Sequence, residues 1–185
     1  MGKLATMRFL LPLAALLLGA APATVDRTVD YRLSPVMEGD AIAALSVTIR
    51  LAGDKSGTTR LSWPDEWAGE EKLGQWARDI AVEGATSVDE QPNGTRVIHA
   101  APDAALVIRY RVVSGFPGDP DVSNSRQPIP AIRPDWFYAV GEALFAVPDG
   151  DSKCPARFAW TGPSAIGFAS DLQHDNGRTT IDGMI

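Results

Sequence analysis

The chain has 185 residues, of which 45% are hydrophobic and 22% charged, so its composition fits one globular domain and excludes wholesale disorder. Its 17 glycines and 14 prolines favour many turns over long helices. The net charge of −6 argues against nucleic-acid binding, because an acidic surface repels phosphate groups. Two histidines and one cysteine leave little for a zinc site built by this chain alone.

The first 23 residues have the pattern of a secretory signal peptide. Lys3 and Arg8 give a basic start, residues 9–18 are apolar, and Ala21-Pro22-Ala23 is an A-x-A cleavage signal. The apolar run is half as long as the roughly 20 residues that a membrane span needs. We therefore predict an exported protein, periplasmic or extracellular, with no membrane segment after cleavage. Cleavage removes two positive charges, which takes the net charge from −6 to −8.

Alternation of apolar and polar residues, the pattern of a half-buried strand, recurs along the mature chain. It is clearest between Ile42 and Leu51 and is also found at residues 25–34, 58–63, 95–100 and 105–113. Turns rich in Gly, Pro, Asn and Asp separate these segments. The sequence therefore predicts an all-β fold, an antiparallel β-sandwich with long loops and little helix. In such a fold any functional site lies in the loops.

Three later segments are less regular. Residues 115–133 contain four prolines and predict a long surface loop. Residues 136–147 are the most apolar part of the mature chain and fit either a buried strand with a turn or a short helix. Residues 166–172 predict a last strand.

The motifs of common hydrolases and nucleotide-binding proteins do not occur in this sequence. His99 and His174 lie 75 residues apart, and neither belongs to an H-E-x-x-H zinc motif. There is no G-x-S-x-G elbow, G-x-G-x-x-G loop or P-loop. The adjacent carboxylates indicate a solvated acidic surface rather than a catalytic pair. We therefore predict no catalytic, cofactor-binding or metal-binding residue in this chain, and no activity of the chain by itself.

Cys154 has no partner for an internal disulfide, although an exported protein meets an oxidising environment. We interpret it as a small, half-buried loop residue. One hypothesis for the function is a small hydrolase that uses Cys154 or a pair of carboxylates. It ranks below the two functions given at the end of this section, because neither histidine is near this cysteine in sequence.

The five tryptophans are the most distinctive side chains of the chain. Trp160 fits the core, whereas the other four fall near loop junctions and either cap the core or line a pocket. Where such residues are exposed, they form an interaction patch. The candidate residues for contact with a ligand or a neighbouring domain are Trp63, Trp67, Trp136 and Tyr138.

Several segments together resemble the amino-terminal domain of glycyl aminopeptidase-like zinc metallopeptidases, which are thermolysin-like (gluzincin) enzymes. These segments are residues 60–67 (RLSWPDEW), 80–85 (IAVEGA), 106–112 (LVIRYRV) and 138–147. Their order and spacing match the family from about Tyr31 to Leu172. The family's P-x-W-x-x-G-x-Y continuation is altered here, because AGEE follows Trp67 and no tyrosine is present.

The resemblance implies a β-sandwich that precedes a catalytic domain, to which the zinc and the catalytic residues belong. It divides the sequence into a signal peptide at 1–23, a β-sandwich domain at 24–175, and a linker or the start of a catalytic domain at 176–185. The expected function is that of a non-catalytic module of an exported aminopeptidase-like protein. Such a module packs on the catalytic domain of the same polypeptide and helps to form the peptide-substrate cleft. The alternative is a stand-alone exported β-sandwich that binds a peptide, a protein or another ligand through loop aromatics.

Overall fold

A computed structural model describes residues 28–120, 128–149 and 155–170, together with the backbone of residues 174–175 and 178–181. The predicted signal peptide, Cys154 and the side chain of His174 lie outside the described residues. In the described part of the chain, no helix has the length and apolar character needed to cross a bilayer.

Strands make up most of the regular structure, so the all-β prediction is confirmed. The strands are Val29–Glu38 (β1), Ala41–Ala52 (β2), Thr58–Ser62 (β3), Glu66–Trp67 (β4), Glu70–Glu71 (β5), Ala77–Glu83 (β6), Ser87–Glu90 (β7), Arg96–His99 (β8), Ala105–Val112 (β9), Ala131–Ile132 (β10), Phe137–Tyr138 (β11), Val147–Pro148 (β12), Ala156–Trp160 (β13), His174–Asp175 (β14) and Arg178–Ile181 (β15). The helices of the described residues are the α-helix Gly141–Leu144 (α1) and the 3-10 helix Leu73–Trp76. Residues 136–147, which fit strand or helix by sequence, contain short pieces of both.

Two sheets form the layers of the fold. The larger has seven strands in the order β14-β15-β13-β1-β2-β9-β6, and the smaller has four in the order β12-β3-β8-β7. Neighbouring strands in both sheets are antiparallel except β1 and β13, which are parallel. The sequence predicted only antiparallel pairing. The parallel pair forms where the later part of the chain returns beside β1. Because β15 pairs with β13, the large sheet continues beyond residue 175.

The core lies between the inner faces of the two sheets, because alternate residues of each strand point inward. Leu45, Val47 and Ile49 of β2 are fully buried. They belong to the same apolar cluster as Leu61 of β3 and Ile98 of β8, which are also fully buried. Complete burial of an aliphatic side chain of this size contributes about 1.5–3 kcal/mol, so the two sheets hold each other in place.

Two buried tyrosines fasten the segment around α1 to the large sheet. The hydroxyl of Tyr110 donates to the carbonyl oxygen of Leu144 (2.7 Å) and accepts from the amide of Ala146 (3.0 Å). The hydroxyl of Tyr31 donates to the carbonyl oxygen of Ala146 (3.1 Å). Burial raises the pKa of Tyr110, so its hydroxyl stays protonated and able to donate. The position of α1 over the sheet is therefore fixed by hydrogen bonds as well as by packing.

Two sequence-based expectations are wrong in part. Residues 166–170 form a bend and irregular backbone rather than a strand, and Phe168 stacks on Trp160 with ring centroids 4.8 Å apart. Phe168 packs through its ring on Phe158 as well as on Trp160, which needs no strand pairing. The predicted surface loop at 115–133 is partly interior, since Ile129 is buried in the core.

Candidate functional site

Loops gather at one end of the large sheet, where β9 ends and where β2 and β6 begin. The amide of Ile42, on β2, donates to the carbonyl oxygen of Pro134 in the turn before β11 (2.8 Å). The amide of Val113, just after β9, donates to the carbonyl oxygen of Trp76, just before β6 (3.1 Å). We call this region the loop end, and it comprises residues 63–76, 113–120 and 128–146.

A short hairpin carries Trp67 outward from the loop end. Strands β4 and β5 pair antiparallel, and the amide of Lys72 closes the ribbon by donating to the carbonyl oxygen of Asp65 (2.7 Å). Ala68 and Gly69 connect the strands with φ angles of 51° and 80°, and a type I′ turn requires positive φ at both positions. The Trp67 side chain is 39% exposed. The hairpin therefore presents an aromatic ring to solvent from a geometrically defined turn.

Trp63, which follows β3, is buried rather than exposed. Its ring lies edge-on against the Tyr110 ring, with centroids 5.2 Å apart, and the residue is 8% exposed. Gly74 lies so close that a Cβ there would be 2.9 Å from the indole of Trp63. Its Nε1 has no hydrogen-bond partner among the described residues. Trp63 is therefore a core residue that also contributes to the wall of a groove.

The groove has a volume of about 530 Å³ and lies between the β4–β5 hairpin, Trp63 and the turn at residues 92–94. Its charged lining residues are Asp65, Glu66, Glu71, Lys72 and Glu90. Glu66 and Glu71 are direct partners across the β4–β5 ribbon, an arrangement of like charges that destabilises a sheet. Glu90 is paired with Arg96 (2.9 Å), and the other three carboxylates against one ammonium group give the groove a negative potential, which attracts cations.

A second hairpin, β10–β11, presents two further aromatic side chains. Trp136 is 40% exposed and Tyr138 is 45% exposed. The guanidinium group of Arg133 lies 6.0 Å from the Trp136 ring centroid, within cation–π range. The same group donates to Asp119 (2.9 Å) and Ser114 (3.0 Å), which holds the hairpin against the loop that precedes it. Arg133 could not be identified from the sequence, because its partners Asp119 and Ser114 come close to it only in the folded chain.

The four candidate contact residues thus fall into two groups. Trp67, Trp136 and Tyr138 are exposed at the loop end, whereas Trp63 is buried behind the groove. Contact of any of them with a ligand or a neighbouring domain stays a prediction.

A zinc ion needs three or four nitrogen, sulfur or carboxylate ligands. No group of three His, Cys, Asp or Glu side chains with suitable placement is found among the described residues. His99 Nε2 lies 3.1 Å from Asp89 Oδ2, and both side chains are largely exposed on the small sheet. The described residues therefore do not fit zinc, and we assign no chemical step to a metal in this chain.

No protein-family model and no curated protein matches the sequence. The fold does match solved structures. An aminopeptidase N family protein from Idiomarina loihiensis matches with a TM-score of 0.60 at 12% identity, over 84% of this chain and 27% of that protein. An M1 zinc metallopeptidase from Deinococcus radiodurans matches with a TM-score of 0.38 at 15% identity, over 85% of this chain and 38% of that protein, a score too low to define a common fold.

The chain thus spans 27% of the length of the Idiomarina protein. At 12% identity the similarity shows a shared fold and leaves activity open. The resemblance drawn from the sequence is confirmed at this level: the chain has the fold of the amino-terminal β-domain of aminopeptidase N family zinc metallopeptidases.

Proposed function

We propose that this chain is the non-catalytic amino-terminal β-domain of an exported zinc aminopeptidase-like protein. In this proposal the loop end packs on a catalytic domain of the same polypeptide and forms part of the wall of the substrate cleft. The observation that carries it is the fold shared with the Idiomarina protein. Zinc would be held by the catalytic domain, since the described residues of this chain do not fit it.

The exposed aromatic rings of the loop end support the interdomain contact. Aromatic side chains are enriched in the buried centres of interfaces, because they bring a large apolar area at little cost in conformational entropy. Trp67, Trp136 and Tyr138 lie on two short hairpins whose backbones are fixed by hydrogen bonds. A neighbouring domain that covers these rings removes them from water without reorganising the β-domain.

The acidic groove supports a place beside a peptide-binding cleft. An aminopeptidase substrate carries an ammonium group at its amino terminus, and the carboxylates around the groove complement that charge. The side chains of Asp65, Glu66 and Glu71 belong to the same hairpin as Trp67. The aromatic contact and the acidic surface are therefore adjacent, so one neighbouring domain can use both.

The test uses the complete protein that contains this chain. Trp67→Ser and Trp136→Ser each remove an exposed indole, and Val88→Ser on β7 is the matched control, because Val88 is 38% exposed on the small sheet. Truncating an aromatic residue at the centre of an interface costs about 2 kcal/mol or more. We expect the tryptophan variants to lower kcat/KM for aminoacyl substrates about tenfold or more, and the control to leave it unchanged.

Two outcomes contradict the proposal at different levels. If all three variants keep the kcat/KM of the unchanged protein, the loop end is not the interface. Absence of peptidase activity in the complete protein contradicts the proposal that it is an aminopeptidase-like enzyme. The export component is tested separately, by sequencing the amino terminus of the exported protein, which we expect to begin at Thr24.

The second candidate function is a stand-alone exported domain that binds a ligand at the loop end. The groove favours it, because its volume of about 530 Å³ lies within the range of roughly 300–1,000 Å³ that is usual for small-ligand sites. Tryptophan fluorescence of the mature chain, titrated with short basic peptides, distinguishes the two functions. Saturable quenching that Trp67→Ser abolishes favours the stand-alone binder, and an unchanged spectrum favours the interdomain role.

A further inference from the structure

The outer face of the large sheet carries six arginines and no lysine in the five adjacent strands from β13 to β6. Outward-pointing residues alternate with the buried ones along each strand. The arginines are Arg32 on β1, Arg50 on β2, Arg78 on β6, Arg109 and Arg111 on β9, and Arg157 on β13. We call these six residues the arginine face. It stands out because the chain as a whole is acidic, with a net charge of −6.

The strand register places four of these arginines around Thr48. Arg32 and Arg109 are its direct partners on the two neighbouring strands. Arg50 lies two positions along β2 on the same side, and Arg111 is a diagonal neighbour on β9. With strands about 4.8 Å apart, the Cα atoms of Arg32 and Arg109 are separated by roughly 10 Å. The four arginines therefore occupy neighbouring positions on one face of the sheet.

Carboxylates already occupy part of this set. The ion pairs on the face are Arg109 with Glu83, Arg111 with Asp79, and Arg157 with Asp30 at 3.7 Å. Arg78 instead donates to the carbonyl oxygens of Gln75 and Ala77. Arg32 and Arg50 are exposed, and neither has an ion-pair or hydrogen-bond partner within the part of the chain that the structure describes. The face thus has two unpaired guanidinium groups and three that are paired with carboxylates. The paired groups indicate that the anion this face binds is a carboxylate.

The chemistry of the face favours a protein partner over a lipid surface. Arginine presents a planar fork that binds carboxylates in a defined geometry, whereas attraction to an anionic bilayer needs only positive charge and is served equally by lysine. Bilayer-binding surfaces also insert apolar side chains. Here the exposed aromatic residues Trp67, Trp136 and Tyr138 lie at the loop end and not on this face.

We propose that the arginine face docks a carboxylate-rich surface of a partner polypeptide, with Arg32 and Arg50 as its anchoring pair. The charge distribution orients the encounter, because an acidic partner is attracted to this face and repelled by the acidic β4–β5 hairpin. Exposed ion pairs are individually weak, so binding depends on several pairs together and weakens with added salt. The proposal is independent of the peptidase assignment, since it uses a different surface.

The experiment measures binding of a fluorescein-labelled oligoglutamate peptide to the complete protein by anisotropy, at low and at physiological ionic strength. The double variant Arg32→Glu/Arg50→Glu reverses the two unpaired charges. The matched control Lys55→Glu/Arg60→Glu makes the same change in net charge at exposed positions outside the large sheet. We expect affinity to fall as salt rises, to fall about tenfold or more in the double variant, and to change less than about twofold in the control.

A second variant pair and a second probe make the result specific. Arg32→Lys/Arg50→Lys keeps the charge and removes the fork, so an affinity between those of the wild type and the charge-reversed variant supports carboxylate recognition. Equal weakening by the test and control variants overturns the proposal, because it shows only a net-charge effect. Failure to bind oligoglutamate, together with arginine-dependent binding to phosphatidylglycerol vesicles, also overturns it and assigns the face to a membrane.

Discussion

Replacing Tyr110 by Phe removes one hydroxyl group and leaves the packing of the ring on Trp63 in place. That hydroxyl bridges the carbonyl oxygen of Leu144 (2.7 Å) and the amide of Ala146 (3.0 Å) in the buried core. Its loss leaves one buried acceptor and one buried donor without this partner, and each such group costs about 1–3 kcal/mol. Tyr31 still contacts the carbonyl oxygen of Ala146 (3.1 Å), so part of the segment stays attached. We therefore expect a loss of about 2–4 kcal/mol.

The assay is urea unfolding of residues 24–185, followed by tryptophan fluorescence. A total stability of about 5–15 kcal/mol is usual for a domain, so a loss of this size shifts the midpoint clearly. Tyr138→Phe is the matched control: Tyr138 is 45% exposed, so water can replace any contact of its hydroxyl, and we expect a change below about 0.5 kcal/mol. A loss below about 1 kcal/mol for Tyr110→Phe would refute the reasoning, because it would show that the hydroxyl bridge does not hold α1.

Three further predictions concern the same regions. Because burial raises the pKa of Tyr110 above its ordinary value of 10.0, the unfolded chain loses this proton first, and stability should fall by up to about 1.4 kcal/mol per pH unit above pH 10. Unfolding measured from pH 9 to 11 checks this, and Tyr110→Phe should reduce the slope. Ala68→Gly should raise stability by about 0.5–1 kcal/mol, because Ala68 has a φ of 51° that glycine adopts without strain; equal or lower stability in urea unfolding contradicts a strained turn. Gly74→Ala should lower stability by about 1–3 kcal/mol, because the new Cβ would lie 2.9 Å from Trp63, and an unchanged unfolding midpoint contradicts that close contact.

The central strands could be predicted because each has one buried face and one wet face. On β9, and on β2 between Leu45 and Arg50, this difference imposes a period of two, and the alternation read from the sequence marks the inward residues. The alternation at residues 58–63 puts Thr59, Leu61 and Trp63 on one face, and all three are buried. Local alternation therefore carries enough information to identify strands and to orient them.

Features that depend on distant contacts could not be predicted. The parallel pairing of β1 with β13 joins opposite ends of the described chain, and neither strand shows it locally. The predicted strand at Phe168 was wrong. This apolar side chain is buried by stacking on Trp160 and not by strand pairing. Arg133 holds the β10–β11 hairpin through Asp119 and Ser114, which come close only in the folded chain.

The candidate site was predicted in part. The sequence singled out four aromatic residues, and three of them are exposed at one end of the fold. It did not show that the carboxylates of the β4–β5 hairpin line a groove beside Trp63, because only the I′ turn at Ala68 and Gly69 folds them back together. Trp63 and Trp76 are both 8% exposed, so the alternative that tryptophans near loop junctions cap the core holds for these two.

Hydrogen exchange tests most directly whether the loop end packs on another domain. Amide exchange at residues 65–72 and 131–138 should be compared between the complete gene product and residues 24–185 expressed alone. Residues 87–89 of the edge strand β7 are exposed and do not line the groove, so they serve as the internal reference. We predict slower exchange at both hairpins in the complete product and no difference at residues 87–89. Equal exchange at the hairpins in the two proteins would contradict the proposed interface.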